Sequence, residues 1–285
     1  MKHNFKRKLY NNILRFIIYL FTFITVSLLG LIIGFIFYKG LGHISLEFLT
    51  TIPKHSTNHI GILPNIINTI YIILLTLFLA LPLGIGSAIY LTEYAKNKKF
   101  IDIVEFTTEI LAGIPSIIYG LVGMLLFVRT LGFKVSLLSG SLTMTIIVLP
   151  IIIRTTQESL KSVPQSYREG SLGLGSGKWH MIKTVVLPSC IEGILTGCIL
   201  AIGRIVGESA ALLYTSGMGT VLASNIIDAF NTGGGTLSVS LYMYSSQRGE
   251  FDVSYAIASV LLILVFLINL GTKLIKNTIK KRQYK

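Results

Sequence analysis

The sequence predicts an all-α integral membrane protein with six transmembrane helices, and three observations lead to this prediction. Of its 285 residues, 52% are hydrophobic and only 13% are charged, about half of the roughly 25% that soluble domains carry. The mean hydropathy is +0.72. Six runs with little or no charge are long enough to cross a bilayer. A soluble chain of this length could not bury so much apolar surface, and the composition also excludes a disordered chain or a disulfide-stapled secreted domain.

The six runs match the thickness of a membrane. About 20 helical residues cross a hydrocarbon core of about 30 Å, and these runs contain 17 to 23 residues. They are residues 16–37, 69–91, 110–128, 137–153, 193–213 and 255–272, of which only the fifth carries charges. The strands of a transmembrane barrel would be about 10 residues long and would alternate in polarity, a pattern that the sequence lacks.

The basic residues predict the orientation of the spans. Of the 25 Lys and Arg residues, 19 fall in the two terminal segments and in the loops that follow the second and fourth spans, whereas five fall in the loops of the opposite side. The positive-inside rule therefore puts both termini in the cytoplasm, as an even number of spans also requires. We predict a basic cytoplasmic N-terminus (1–15), a six-helix domain (16–272) and a basic cytoplasmic C-terminus (273–285). The net charge of +13 follows from this sorting and does not indicate nucleic-acid binding.

Two connections are long enough to have structure or a function of their own. The cytoplasmic loop 154–192 contains 39 residues, and the outer loop 214–254 contains 41. In the cytoplasmic loop we predict a first short helix, capped by Ser162 and ending near residue 172, and a second one over about 178–187. Three glycines separate these helices: Gly173, Gly175 and Gly177.

The glycines before Lys178 do not form a phosphate-binding loop. Leu172 stands where the P-loop pattern needs a glycine, and Trp179 stands where it needs the Ser or Thr that reaches Mg²⁺. We therefore predict that the chain is not an enzyme and binds no ATP. Any ATP hydrolysis would take place in a separate subunit.

Residues that commonly bind metals are sparse. His55 and His59 have the i,i+4 spacing that zinc ligands can use, but no acidic or cysteine ligand lies near them in the sequence. Cys190 and Cys198 are too few for a metal cluster or a disulfide framework. We predict no metal and no cofactor.

The cytoplasmic loop contains a spaced pattern of acidic, small and aliphatic residues. The pattern consists of Glu169, Gly170, Ser171, Gly175, Val185, Leu187 and Pro188. It resembles the Glu-Ala-Ala…Gly…Ile-x-Leu-Pro signature of the permease subunits of ABC importers, with two small residues for the alanines and a valine for the isoleucine. The resemblance implies the ABC importer permease architecture. It also implies that this segment, with Trp179 on its second helix, docks on an ATPase subunit.

The fifth run contains a pair of opposite charges, Arg204 and Glu208, one helical turn apart. A charge at this depth costs at least roughly 2.5–3.5 kcal/mol, so the pair must face protein or water. One interpretation is an ion pair that only holds helices together. The other is a site on an anion pathway, because the planar guanidinium fork suits oxyanions. Ser116, beside the helix-breaking Pro115, is a second candidate for the pathway, although packing is the commoner explanation for such a residue.

The sequence around this pair, from Ala201 to Gly217, is similar to the permease subunits of phosphate ABC importers. The continuation Ala-Ala-Leu-Leu-Tyr-Thr favours the PstA type over the PstC type, and the resemblance extends over about residues 61–215. It implies phosphate as the substrate and the bacterial plasma membrane as the location. It also implies three partners, namely a homologous PstC-type permease, ATPase subunits and an extracytoplasmic phosphate-binding protein.

Three alternatives stay open. The first is a permease for another oxyanion, such as molybdate or sulfate. The second is a membrane-embedded enzyme using Glu208 and a histidine, which is disfavoured because the spans contain no histidine. The third is a pure scaffold, which the central position of Arg204 disfavours.

Overall fold

The computed structural model of the chain describes residues 2–53, 60–220 and 226–283, and all regular structure within them is helical. The α-helices are α1 (Lys2–Gly40), α2 (Leu46–Thr50), α3 (Leu63–Ile89), α4 (Lys98–Gly113), α5 (Ser116–Gly123), α6 (Leu137–Ser162), α7 (Gln165–Gly173), α8 (Lys178–Met181), α9 (Leu187–Ser189), α10 (Ile191–Gly207), α11 (Ala210–Thr215), α12 (Ile226–Asn231), α13 (Leu237–Tyr242) and α14 (Phe251–Gln283). Wider π-helical turns follow α3, α5, α8 and α13, at Tyr90–Tyr94, Met124–Thr130, Ile182–Val186 and Met243–Arg248.

Four helical segments are long and apolar enough to cross a membrane alone. They are Tyr10–His43, Leu63–Tyr94, Leu137–Ser162 and Phe251–Leu274. Two further pairs of helices meet this test only when the two members of each pair are taken together, and both pairs are bent. The all-α membrane fold is thereby confirmed, with six spans if each bent pair counts as one.

The third predicted span, 110–128, is wrong as a single helix. Lys98–Gly113 and Ser116–Thr130 meet at an angle of 98°. Ile114 has an extended backbone (φ −69°, ψ 132°), as expected for a residue before proline, and Pro115 has no N–H to continue the helix. The hydroxyl of Tyr119 donates across the bend to the carbonyl of Leu111 at 2.7 Å. This hydrogen bond ties α5 to the last turn of α4 and fixes the bend.

The fifth predicted span, 193–213, is also wrong as a single helix. Helix α10 ends at Gly207, and the backbone of Glu208 is extended (φ −84°, ψ 115°). The next helix, α11, begins at Ala210. Gly207 favours helix termination because glycine has a low helix propensity. At its start, α10 meets the segment Lys178–Ser189 at 65°.

The core lies between α3, α6 and α10. Ile72, Met144 and Ile152 from α3 and α6 are fully or almost fully buried, together with Ala201 and Ile205 from α10. In contrast, no residue in the most apolar stretch of Tyr10–His43 is buried. The C-terminal end of α1 packs on α14, where the Ser259 hydroxyl donates to the Ile36 carbonyl at 3.2 Å. An uncovered apolar helix of this length fits a lipid environment.

The predicted outer loop 214–254 is only partly a loop. Its residues 234–240 are buried in the bundle. The Asn65 amide donates to the Gly235 carbonyl at 2.8 Å, and a Cβ at Gly234 would lie 2.3 Å from Nδ2 of Asn68. A side chain at residue 234 would therefore displace the buried Asn68 amide, and the segment packs closely along α3.

Candidate functional site

Arg204 and Glu208 form the ion pair that their spacing predicts. Nη2 of Arg204 lies 3.5 Å from Oε2 of Glu208. The contact is made across the end of α10 and not along a continuous helix, because Gly207 is the last helical residue. Glu208 therefore lies in the non-helical segment between α10 and α11.

Besides the ion pair with Arg204, two hydrogen bonds hold Glu208 in place. Its other carboxylate oxygen, Oε1, accepts the backbone N–H of Ala211 at 3.3 Å, which satisfies one of the free donors at the start of α11. Its backbone carbonyl accepts the hydroxyl of Ser238, from the buried part of the outer segment, at 2.8 Å. With a side chain that is only 6% exposed, Glu208 is a fixed acceptor.

Arg204 is in a different environment, although its partner is buried. Its side chain is 45% exposed. Gly203 and Gly207 lie beside it on the same helix, and a Cβ at either of them would meet no atom within 4 Å. The guanidinium therefore lies on an open face of α10 that has room for another molecule or another protein surface.

The structure does not place Ser116 in contact with this pair. Ser116 is the first residue of α5 and is half-buried at the 98° bend. Within the described residues no hydrogen bond joins it to Arg204 or Glu208. The connection between the two is indirect, because α5 packs on α11, where Gly120 lies against Ala211.

The predicted cytoplasmic loop 154–192 contains a helical hairpin, with α7 as its first arm and Lys178–Ser189 as its second. The predicted cap Ser162 is wrong: Ser162 ends α6, and its hydroxyl donates to the Ser159 carbonyl at 2.7 Å. Helix α7 begins after Pro164, whose fixed φ suits a helix start.

The turn of the hairpin depends on one of the predicted glycines. Gly175 has a φ of +83°, and its N–H donates to the Leu172 carbonyl at 2.9 Å while the N–H of Ser176 donates to the Ser171 carbonyl at 3.3 Å. These two bonds define a Schellman motif, which requires a left-handed residue at this position. The hydroxyls of Ser171 and Ser176 also lie 2.7 Å apart, so the serine in the signature closes the turn through its side chain.

The hairpin has an apolar surface that no other described part of the chain covers. Its exposed apolar side chains are Tyr167 (56%), Leu172 (46%), Leu174 (91%) and Trp179 (62%). Glu169 and Gly170, which lie on α7, are also exposed. On the other side of the hairpin, Ile182 and Val186 are fully buried, and Leu187 packs with them against the end of α3. Leu187 and Pro188 are half-buried at the base of the hairpin.

Sequence reasoning missed the ion pair between Glu93 and Arg168. Nη2 of Arg168 lies 2.9 Å from Oε1 of Glu93, and the two side chains are 12% and 7% exposed, for Arg168 and Glu93 respectively. The residues are 75 positions apart, so no local pattern joins them. The available signal in the sequence is a single acidic residue at the C-terminal end of an apolar span.

The prediction that the chain holds no metal can be compared with the described residues only. Among the described residues, no group of three or more His, Cys, Asp or Glu side chains is arranged to hold a metal ion. His55 and His59 lie outside the described residues.

Comparison with known proteins identifies the family. The family model for the binding-protein-dependent transport system inner membrane component matches residues 80–283, which include the hairpin and the Arg204–Glu208 pair. The chain belongs to this family. It is therefore a transport component, and the apolar helices make it a multi-pass membrane protein.

Curated relatives confirm the predicted resemblance to PstA-type permeases. The phosphate transport system permease protein PstA of Xylella fastidiosa is 36% identical over 243 residues, which is 85% of this chain and 84% of that protein. The probable ABC transporter permease protein YqgI of Bacillus subtilis is 39% identical over 197 residues, or 69% of this chain and 67% of that protein.

A solved structure confirms the permease architecture. A chain of the bacterial alginate ABC transporter, in complex with its alginate pentasaccharide-bound periplasmic protein, matches with a TM-score of 0.61. The match covers 97% of this chain and 95% of that chain. At 16% identity it shows a common fold.

Proposed function

We propose that this chain is the PstA-type permease subunit of an ATP-driven phosphate importer in the bacterial plasma membrane. The observation that carries the proposal is the half-exposed guanidinium of Arg204 on the open face of α10. A cation in a membrane-spanning segment must face water or protein, because contact with lipid costs several kcal/mol. The planar fork of arginine matches the oxygens of an oxyanion, and the relative from Xylella fastidiosa is named as a phosphate permease.

The pair gives each residue a distinct part in moving the anion. Arg204 offsets the loss of hydration when a phosphate enters a pathway of low polarity. Glu208, which is fixed in place, holds the guanidinium when no anion is bound and weakens its grip on a bound anion. We include Ser116, at the start of α5, as a third residue of the pathway.

The hairpin is the proposed contact with the ATPase. Exposed aromatic and leucine side chains on a cytoplasmic surface indicate a protein interface, and tryptophan is enriched among the residues that dominate such interfaces. We assign contacts to Glu169, Gly170 and Trp179. Ser171 and Gly175 shape the turn between the arms, and Leu187 and Pro188 anchor the hairpin to the bundle. ATP is hydrolysed by the partner.

The remaining partners follow from the same proposal. A homologous PstC-type permease covers the open face of α10, so that the anion passes between the two subunits. An extracytoplasmic phosphate-binding protein delivers phosphate to the outer side, and both termini of this chain lie in the cytoplasm.

Reconstitution tests this function directly. The chain, its PstC-type partner and the ATPase would be placed in lipid vesicles, and ATP hydrolysis and uptake would be measured with phosphate, sulfate or molybdate and the binding protein. We expect phosphate alone to stimulate hydrolysis and to be taken up. Stimulation by molybdate or sulfate without any response to phosphate would instead support the alternative oxyanion permease.

A further inference from the structure

Both arms of the hairpin are fastened to the transmembrane bundle at one residue, Glu93. Glu93 lies in the π-helical turn Tyr90–Tyr94, which ends the second span. From the first arm, Arg168 donates through Nε and Nη2 to Oε1 of Glu93, at 3.1 and 2.9 Å. From the second arm, Lys178 donates through Nζ to the backbone carbonyl of Glu93, and its ammonium lies 4.9 Å above the ring centre of Tyr94.

The same guanidinium also holds the end of the fourth span. Nη1 of Arg168 donates to the Val163 carbonyl at 2.6 Å, and Nη2 donates to the Leu160 carbonyl at 2.8 Å. These carbonyls belong to the last turn of α6 and the residue after it, where a helix leaves acceptors free. Arg168 therefore connects the hairpin to the cytoplasmic ends of α3 and α6 at once.

The burial of the Glu93–Arg168 pair distinguishes it from the other ion pairs on the cytoplasmic side. Arg154 and Glu109 lie 3.0 Å apart, but both side chains are 60% exposed, and such pairs contribute little to stability. Glu93 and Arg168 are almost completely buried, so their desolvation offsets much of their attraction. An apolar cluster that includes Met181, Ile182 and Val186 already packs the hairpin on the bundle. Stability alone therefore does not explain a buried charged pair at this point.

We propose that Glu93 and Arg168 are positioning residues that transmit movement of the hairpin to α3 and α6. The proposal rests on the proposed docking of the hairpin on an ATPase. Two N–H groups of the Arg168 guanidinium meet one carboxylate oxygen of Glu93. This charge-assisted contact has a defined direction, so a displaced hairpin pulls the ends of both spans with it. Because α3 and α6 share one core with α10, the displacement reaches the helix that holds Arg204. An apolar contact alone would let the hairpin slide.

Glu93→Gln in the complete reconstituted transporter tests this proposal. Glutamine keeps the shape of the side chain, and the backbone carbonyl that binds Lys178 is unchanged. The charge that holds Arg168 is lost. We expect the complex to assemble and to hydrolyse ATP, while the ATP consumed per anion imported rises about tenfold, as it would if the contact to Arg168 were weakened by about 1.4 kcal/mol. Arg168→Lys, which keeps the charge but loses the fork, should raise the ratio too. Glu109→Gln is the matched control on the exposed pair and should leave it unchanged.

Three results would overturn the proposal. One is a wild-type ratio of ATP to imported anion in Glu93→Gln. Another is a parallel loss of hydrolysis and import at constant ratio. The third is loss of the assembled complex in both Glu93→Gln and Arg168→Lys, which would make the pair a folding element. The ratio is measured with the oxyanion that the wild type imports. A wild type that imports molybdate and no phosphate would therefore contradict the proposed substrate without affecting the test of Glu93.

Discussion

Gly120 of α5 lies so close to α11 that a Cβ at this position would be 2.8 Å from the Cα of Ala211. This contact joins two of the places where the bundle departs from straight helices. Helix α5 follows the 98° bend at Pro115, and α11 follows the break at Glu208. The two irregular segments therefore support each other, and the position of Glu208 depends on the absence of a side chain at residue 120.

Gly120→Ala should destabilise the bundle. The new methyl group would meet backbone that cannot move without shifting α11, and overpacking of this kind costs about 1–3 kcal/mol. We expect a lower thermal midpoint and less purified protein in detergent. Gly113→Ala is the matched control, because a Cβ there would meet nothing within 4 Å. Equal midpoints for the two variants would show that the α5–α11 contact adapts easily.

Trp179→Ala should uncouple transport from ATP hydrolysis without unfolding the protein. The indole is 62% exposed, so its loss leaves no cavity, whereas an aromatic anchor at an interface typically contributes 2 kcal/mol or more. We expect weaker co-purification of the ATPase and reduced uptake at normal membrane abundance. The exposed Lys183, on the same arm of the hairpin, provides the control Lys183→Ala. Normal ATPase binding and full uptake in Trp179→Ala would remove the hairpin from the interface.

Site-directed labelling should confirm the predicted orientation. In a background of Cys190→Ala and Cys198→Ala, a cysteine at Gln165 should react with a membrane-impermeant maleimide only from the cytoplasmic side. A cysteine at Leu131 or Thr232 should react only from outside. All three native side chains are exposed. Labelling of positions 165 and 232 from the same side would mean that one of the bent pairs does not cross the membrane.

The long spans could be predicted from the sequence, but the breaks within the bent pairs could not. Pro82 and Pro150 lie within continuous helices, whereas Pro115 ends one, so proline alone does not mark a break. Whether a bend forms depends on partners that satisfy the freed backbone groups. At Pro115 such a partner is Tyr119, whose reach across the bend no sequence pattern reveals.

Of the contacts in the candidate site, the sequence predicts only the local one. The i,i+4 spacing predicted the Arg204–Glu208 contact, because that spacing is local. It does not predict that Glu208 is extended or that its carbonyl accepts the hydroxyl of Ser238, because Ser238 lies 30 residues further along the chain. Gly234 belongs to a run of three glycines in the sequence, and in the structure it allows close passage along Asn68. Contacts between distant segments require the fold.

Three substitutions distinguish an Arg204 that lines the anion pathway from a purely structural ion pair. Arg204→Gln removes the cation that offsets the anion's desolvation, so phosphate uptake should collapse while membrane abundance stays normal. Arg204→Lys should restore little uptake, because an ammonium lacks the bidentate fork. Glu208→Gln should slow turnover in a complex that still assembles, since the guanidinium would then hold the anion too long.

The most direct measurement is phosphate uptake, determined together with membrane abundance, in the double variant Arg204→Gln, Glu208→Gln. If the pair were only an internal ion bridge, each single variant would leave an unpaired charge and lower the abundance. The double variant would then recover both abundance and uptake. If Arg204 lines the pathway, the double variant reaches the membrane at normal levels and transports no more phosphate than Arg204→Gln alone. Recovery of uptake in the double variant would contradict the account.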